Sequence, residues 1–514
     1  MSRAWLGAAL VAALTAAYYG GSLHNDFVWD DRLTATAPAD LATSLTHRTG
    51  SYYRPLVMLS FAADRFLWGP WPAGYHLTNI TCHAVVAWLL LNLARAVGLG
   101  AGTALAAALI FAGHPAQTEA VTYISGRTDP LCAFFVLLSL HAWRHSRHAV
   151  DRFALMSGLA VLLALFCKEA AVAMPLVMLV RGAHPAKRPP LPIVPILCAL
   201  LWLAFLTVSG GPGLQVSGIL ERLPAIGVAT LTYLRLLLWP SDLHLERFVP
   251  VAGWSAATAV AVWAALAGGG AALCWAARRV PGGWLCLAIG AAAYAPVSGL
   301  VPIYPAIADR ALFMPEHFLY LPLLGLAPLV TGLGAGLLER RWTLKAAPFL
   351  LGAILLVWGV VVVDRNRDYL NEETLFAHTL RYEPPAARVW FNLGNLRLAA
   401  GKLDEATELF QAALAREPED AAAHLNLGIT FQRSGRLAEA ERHYARAIVL
   451  DPGRSEAYRG LAALLAKRGE RAAAHELWEQ AERVERRAAG GESGHPEPAV
   501  GKGQGRRARR PVIK

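Results

Sequence analysis

From Trp5 to about Val363 the chain is a succession of apolar runs, and at Asp364 they stop. The runs lie near 5–22, 78–97, 102–118, 129–144, 153–167, 169–181, 191–209, 255–277, 283–301, 318–338 and 346–363. Many are long enough to cross a hydrocarbon layer of roughly 30 Å as a helix. Blocks of Ala, Leu, Val and Trp without alternation favour helices. Hydrophobic residues make up 55% of the chain and charged residues only 17%, with a mean hydropathy of +0.38. A soluble chain carries nearer a quarter charged residues. The expectation is an all-α, polytopic membrane protein with about 11 spans, followed by a charged, Ala-rich helical region.

Arginine and lysine give the spans a direction, because cytoplasmic loops collect basic residues. With Arg3 inside and the spans alternating, "RHSRHAVDR" (144–152), "RGAHPAKRPP" (181–190), Arg278–Arg279 and "ERRWTLK" (339–345) all fall on the same side. This holds only if the moderately apolar stretch 223–240 is interfacial or re-entrant. The first run is expected to stay as an uncleaved anchor, since no polar mature start follows a clear cleavage site. The expected location is the inner (cytoplasmic) membrane, multi-pass, with the C-terminal region outside.

The same alternation sorts the remaining charges. Asp30, Asp31, Glu119, Arg127, Asp129, Lys168, Glu169, Asp309, Arg310, Glu316 and His317 are all placed at the external face. Ionisable groups at membrane depth cost a few kcal/mol and usually line a cavity or pathway. A transporter would instead carry such groups at mid-span.

Beyond the spans, "NLGNLRLAAGKLDEATELFQAALAREPED" and "NLGITFQRSGRLAEAERHYARAIVLDPGR" align with a shift of 34. Gly401, Gly435 and Gly469 keep that step, as do Pro384, Pro418 and Pro452, and Ala413, Ala447 and Ala481. That period with a closing proline is the signature of tetratricopeptide repeats, two antiparallel helices each. Three repeats are readable, the third being degenerate as a cap would be. The domains expected are 1–363 in the membrane, 364–487 as an external repeat domain that binds protein or peptide, and 488–514 as a basic disordered tail. The tail holds six Lys/Arg against Glu492 and Glu497, so part of the net +11 has no need of nucleic acid as a partner. The six cysteines lie in or beside apolar runs without any C-x-x-C pair, which argues for inert buried thiols.

Single residues then carry candidate chemistry. In "HNDFVWDDR", Phe27, Val28 and Trp29 are apolar enough to pin Asp30 and Asp31 to the interface, where neighbouring carboxylates raise one another's pKa. A carboxylate so poised suits a general base; a solvated loop start is the simpler reading of an isolated pair. His76, Asn79 and His83 share a helix face, and hydrogen bonding between helices explains such a stripe as well as substrate binding does. No tight H-x-x-x-H spacing supports a metal site, so no metal ligands are assigned, although a divalent cation is a possible cofactor. Arg54, Arg127, Lys168, Arg310 and His317 are external cations suited to a phosphate, or else to lipid headgroups. Glu119, Asp129, Glu169 and Glu316 complete the acidic set.

"FVWDDR", "YYRPL", "YHLTNITCH", "HPAQTEAVTYISGRTDPLCAFFVLL", "CKEAA", "TYLRLLLWPSDL" and "EHFLYLPLLGL", followed by the repeats, resemble the transmembrane and tetratricopeptide-repeat O-mannosyltransferases and their bacterial relatives. These belong to the GT-C membrane glycosyltransferases. The resemblance covers nearly the whole chain except the tail. It implies a GT-C-like membrane domain that transfers a mannose-like sugar from a polyprenyl-phosphate donor to a hydroxyl of a protein or peptide, on the non-cytoplasmic face. It implies Asp30 and Asp31 as the base or an acceptor-binding group, with Asp30 taken as the base and Asp31 as its partner. Arg54, His76, Glu119, Arg127, Asp129, Lys168, Glu169, Arg310, Glu316 and His317 would then bind the donor phosphate or the substrate. Eukaryotic members tend to carry Glu-Arg where this chain has Glu316-His317. A non-catalytic membrane scaffold whose repeats recruit envelope proteins is the alternative.

Overall fold

A computed structural model describes residues 2–36, 53–180, 184, 190–208, 219–300, 311–339, 346–382 and 386–489. Asp309, Arg310, the basic stretches 185–189 and 340–345, and nearly all of the basic tail lie outside the described residues. The fold is helical almost throughout; the described strands are one antiparallel pair, Phe248–Pro250 with Ala311–Phe313, in which Phe248 faces Phe313. The contacts within the chain divide it into two compact units, Met1–Val389 and Trp390–Lys514.

Among the described residues of the first unit, five helices are long and apolar enough to cross a membrane: Trp5–His24, Pro72–Ala96, Ala256–Arg279, Glu316–Leu337 and Ala347–Asp368. Shorter apolar helices at Ala101–Gly113, Arg152–Leu165, Ile193–Thr207 and Gly283–Val297 add to the bundle. Phe349 is 81% and Leu356 73% exposed on the last long helix, an outward apolar face that needs hydrocarbon rather than water around it. Residues 223–238 of the stretch 223–240 fall in one continuous helix, Ile219–Leu238. The expected span at 169–181 takes another form: a 3₁₀ turn over Glu169–Ala173 and then a single helical turn, Met174–Val177. Two ion pairs made by Lys168 and Glu169 hold the start of this stretch to other elements, and Pro175 has no amide to continue a ladder.

Where helices cross closely, small residues make room. A Cβ on Gly325 would lie 2.1 Å from the Cys286 carbonyl oxygen, so Gly325 lets two helix backbones meet. Ser139 and Ser157 exchange hydrogen bonds with each other's carbonyls at 2.9 and 3.0 Å, pinning two antiparallel helices. Such bonds across helices are worth about 0.6–2 kcal/mol in a bilayer.

In the second unit, the helix Ala387–Ala399, which the unit boundary cuts, is followed by Leu403–Arg416. The pairs Ala421–Arg433 with Leu437–Leu450 and Ser455–Arg468 with Arg471–Ala489 then repeat the motif. Gly401, Gly435 and Gly469 all turn with positive φ (74°, 81° and 89°), a conformation that glycine adopts without a Cβ penalty. Gly394 abuts the Phe410 ring and Gly428 the Tyr444 ring, so each repeat packs a small residue against a large one. Phe410, Phe431, Tyr444, Ala406, Ala440 and Ala447 form the shared core.

Candidate active site

At one end of the bundle, four connecting segments of the first unit meet: 25–36, 118–129, 242–250 with 311–317, and the end of the last long helix with the helix Glu372–Leu380. Asn366 ties three of them together. Its side chain accepts from Thr122 Oγ1 at 2.5 Å and donates to the Tyr18 carbonyl at 2.7 Å, and its carbonyl accepts from Asn25 at 2.9 Å. The Asp26 amide adds a bond to the Leu370 carbonyl at 2.9 Å. Asn79, on the helix Pro72–Ala96, donates to the carbonyls of Val121, Tyr123 and Ile124 at 3.2–3.3 Å. The asparagine expected on a polar helix stripe therefore shapes a loop. His83 on the same stripe bonds Tyr320 Oη at 2.7 Å, while His76 is enclosed with both ring nitrogens lacking a hydrogen-bond partner.

Asp30 and Asp31 open a short helix, Asp30–Thr36, and point to different environments. Asp31 is fully buried. One carboxylate oxygen accepts from the Ser125 amide at 2.7 Å and the other from the Val28 amide at 3.2 Å. Burial pushes its pKa up to about 7, against those bonds. Asp30 stays open to solvent. The protein packed about it raises its carboxyl as well, opposed by the Arg388 guanidinium and a hydrogen bond from Tyr123. The residue before the pair, Trp29, has φ +50°, rare for a bulky side chain and a mark of a backbone held in place by its surroundings.

The expected cations are nearly all matched to carboxylates. Arg127 meets Asp64 at 2.5 Å, lies 4.2 Å over the Phe61 ring, and is 1% exposed. Lys168 meets both Asp129 oxygens at 2.7 and 2.8 Å, with both side chains buried. Arg54 clasps Glu169 through two bonds of 2.6 and 3.2 Å. His317 bonds Glu119 through its amide at 3.0 Å and Nδ1 at 2.7 Å. Burial raises the Glu119 carboxyl, but the contacts from His317 outweigh it and hold the group below its usual range. Glu316 is buried, accepts from the His244 amide and lies 3.5 Å from Arg365. Arg127 and Lys168, expected as phosphate or substrate ligands, are both enclosed and bonded to carboxylates, and in this way hold separate segments together. Asp64, the partner of Arg127, was not among the expected residues.

Three further groups escaped sequence reasoning. Glu246, buried, pairs with Arg388. His244 stacks on Tyr382 with centroids 4.1 Å apart, and burial lowers its pKa to about 4. Arg365 also reaches Asp368 at 2.8 Å. None sits in a stretch whose spacing marks it; Arg388 in particular lies where the sequence reads as repeat. Among the described residues, no three His, Cys, Asp or Glu side chains gather as metal ligands would.

Comparison with known proteins adds to this geometry. A profile described as tetratricopeptide repeat matches residues 373–412 and 391–455. The protein O-mannosyl-transferase Tmtc1 of Drosophila melanogaster is 28% identical over 78% of this chain and 60% of its own length. TMTC3 of Mus musculus is 25% identical over 79% of this chain and 50% of its own. A shorter match, to tmtc2 of Xenopus laevis, is 40% identical over 26% of this chain and 18% of that protein. Among solved structures, a crystal structure of MamA aligns over 32% of this chain and 90% of its own at 18% identity, with a TM-score of 0.23. The chain spans 60% and 50% of the length of the Drosophila and mouse relatives it matches over most of its own length. With its apolar spans and its repeats, the chain is similar to these transmembrane and tetratricopeptide-repeat protein O-mannosyl-transferases.

Proposed function

We propose that this protein transfers a mannose-like sugar from a polyprenyl-phosphate donor to a hydroxyl of a protein or peptide on the non-cytoplasmic face of the membrane. In this reading residues 1–363 carry the catalysis, and the repeats of 364–487 present the acceptor. The observation that carries it is the split between the two neighbouring carboxylates. Asp31 has both oxygens occupied by backbone amides, while Asp30 beside it is open to solvent. One group is a fixed brace and the other is free to take a proton.

The step is a single displacement. The acceptor oxygen attacks the anomeric carbon, its proton passes to the Asp30 carboxylate, and the bond from that carbon to the phosphate oxygen breaks. Polyprenyl phosphate leaves with the electron pair, and the anomeric configuration inverts. Because a phosphate is already a good leaving group, cations that stabilise its charge suffice and no general acid is needed. Arg54 and His317 are partly exposed, at 21% and 25% of their side chains, and serve as ligands to the donor headgroup. Their carboxylate partners Glu169 and Glu119 orient them.

The test uses the full chain in lipid nanodiscs with a panel of polyprenyl-phosphate sugars and a pooled peptide library, following polyprenyl phosphate release and glycopeptide mass. Asp30→Asn should lower the turnover by roughly 10²- to 10⁴-fold, the range for losing a general base. Turnover indifferent to this substitution would remove Asp30 as the base. A total absence of transfer with every donor would favour the scaffold.

A further inference from the structure

Arg388 is held differently from Arg54 and Lys168. Its Nε donates to Glu246, but the contact is one-pronged: the second Glu246 oxygen is buried without a partner, and the two Nη nitrogens of Arg388 bond no described residue. The arginine side chain is 44% exposed while that of Glu246 is wholly enclosed. Arg54 and Glu169, by contrast, close both prongs.

The guanidinium is also held flat. Its central carbon lies 4.9 Å from the centroid of the Trp29 ring and 5.5 Å from that of Phe313. Phe313 is fixed by the strand pair, where it faces Phe248. Trp29 is fixed by edge-on contact with Phe376 at 5.4 Å and by the positive φ that turns its ring to this place. Two aromatic walls and one carboxylate thus orient a planar fork whose free edge carries two N–H donor groups. Such an edge matches two oxygens of a phosphate. Trp29 is the residue immediately before Asp30, and Arg388 acts electrostatically on the Asp30 carboxyl without bonding it.

We propose that Arg388, set between Trp29 and Phe313, binds the phosphate of the lipid-linked donor on the side of the sugar away from Asp30. This rests on the glycosyl-transfer reading and adds a residue to it. Asp30 and the leaving phosphate must flank one anomeric carbon, and a cation close to Asp30 but not bonded to it leaves that space. The anion also satisfies the Nη groups that the protein leaves open, while Glu246 keeps the fork from swinging away.

The experiment measures equilibrium binding of farnesyl phosphate, farnesol and inorganic phosphate to the full chain in nanodiscs. Arg388→Ala should weaken farnesyl phosphate roughly 10- to 100-fold and leave farnesol unchanged, the scale of losing charge-assisted hydrogen bonds. Arg388→Lys keeps the charge but not the planar fork, and should fall between. Because Arg388→Ala strands Glu246, Arg388→Ala with Glu246→Gln is the control for folding, judged by an unchanged melting temperature, and should show the same loss. Wild-type affinity for farnesyl phosphate in that folded double variant overturns the proposal. So does inorganic phosphate binding as tightly as farnesyl phosphate, which would mark a site for the free ion, or no binding of farnesyl phosphate to the wild type. Transfer assays separate the two claims. Transfer that persists undiminished in Arg388→Ala leaves the enzyme standing without this site; binding lost in Arg388→Ala, with no transfer from any donor in the wild type, leaves the site standing without the enzyme.

Discussion

The loop face of the first unit and the repeat array of the second are held together by opposite means. In the array, contacts are local and periodic: a glycine turn, a small residue against a ring, then the same again 34 residues on. At the loop face, contacts join residues far apart in the chain, such as Arg54 with Glu169 and Glu119 with His317, and many are between charges. The first arrangement tolerates repetition and change one unit at a time. The second is a set of matched pairs, each of which fails as a whole.

The sharpest way to break this contrast is to unpair a buried charge. Lys168→Met alone should destabilise the protein by about 3–5 kcal/mol, because it strands Asp129 where water cannot reach it. Lys168→Met with Asp129→Leu should recover most of that loss in thermal unfolding; a double variant as unstable as the single would show that the pair is not matched as described. Asp31 offers a second break, through pH. Its carboxyl is raised to about 7 in the folded chain, so between about pH 4 and 7 the folded form holds a proton that the unfolded form has lost. Stability should therefore fall as pH rises through that window and level off above it, by at most about 4 kcal/mol over the whole window. Asp31→Asn should flatten this part of the melting curve against pH, and an unchanged slope would refute the assignment.

The array should respond more gently. Gly428→Leu would drive a side chain into the Tyr444 ring, whose nearest atom is 2.8 Å from the position of a Cβ, costing about 1–3 kcal/mol. Proteolysis should then appear within residues 421–450 while the thermal transition of the first unit is unchanged. Smallest is Gly435→Ala, with φ +81° and open space around it, at about 1–2 kcal/mol by chemical denaturation. If either glycine variant destabilises the first unit as much as Lys168→Met does, the two regions are not as separate as their contacts suggest.

These differences track what was legible in the sequence. The repeat register, the glycine turns and the helical nature of the apolar runs are all readable, because each is a local pattern at a helix or repeat period. The gathering of charges at one end was also readable in outline, through the alternation of basic loops. Which charge meets which was not. Arg127 and Lys168 read as free cations because a sequence does not show that Asp64 and Asp129 are opposite them. The run at 169–181 read as a span because its apolar content is real, while the pairs that bend its start are made with distant partners.

By itself, the sequence determined that this protein is a helical membrane bundle joined to tetratricopeptide repeats, since hydropathy and periodicity act along the chain and need no partner. Only the tertiary structure decided that Asp31 is a brace while Asp30 stays open, and that Arg388 lies beside them rather than within the repeats alone. Burial and ion pairing depend on what the fold brings within a few ångströms, and at that range identical residue types take opposite roles.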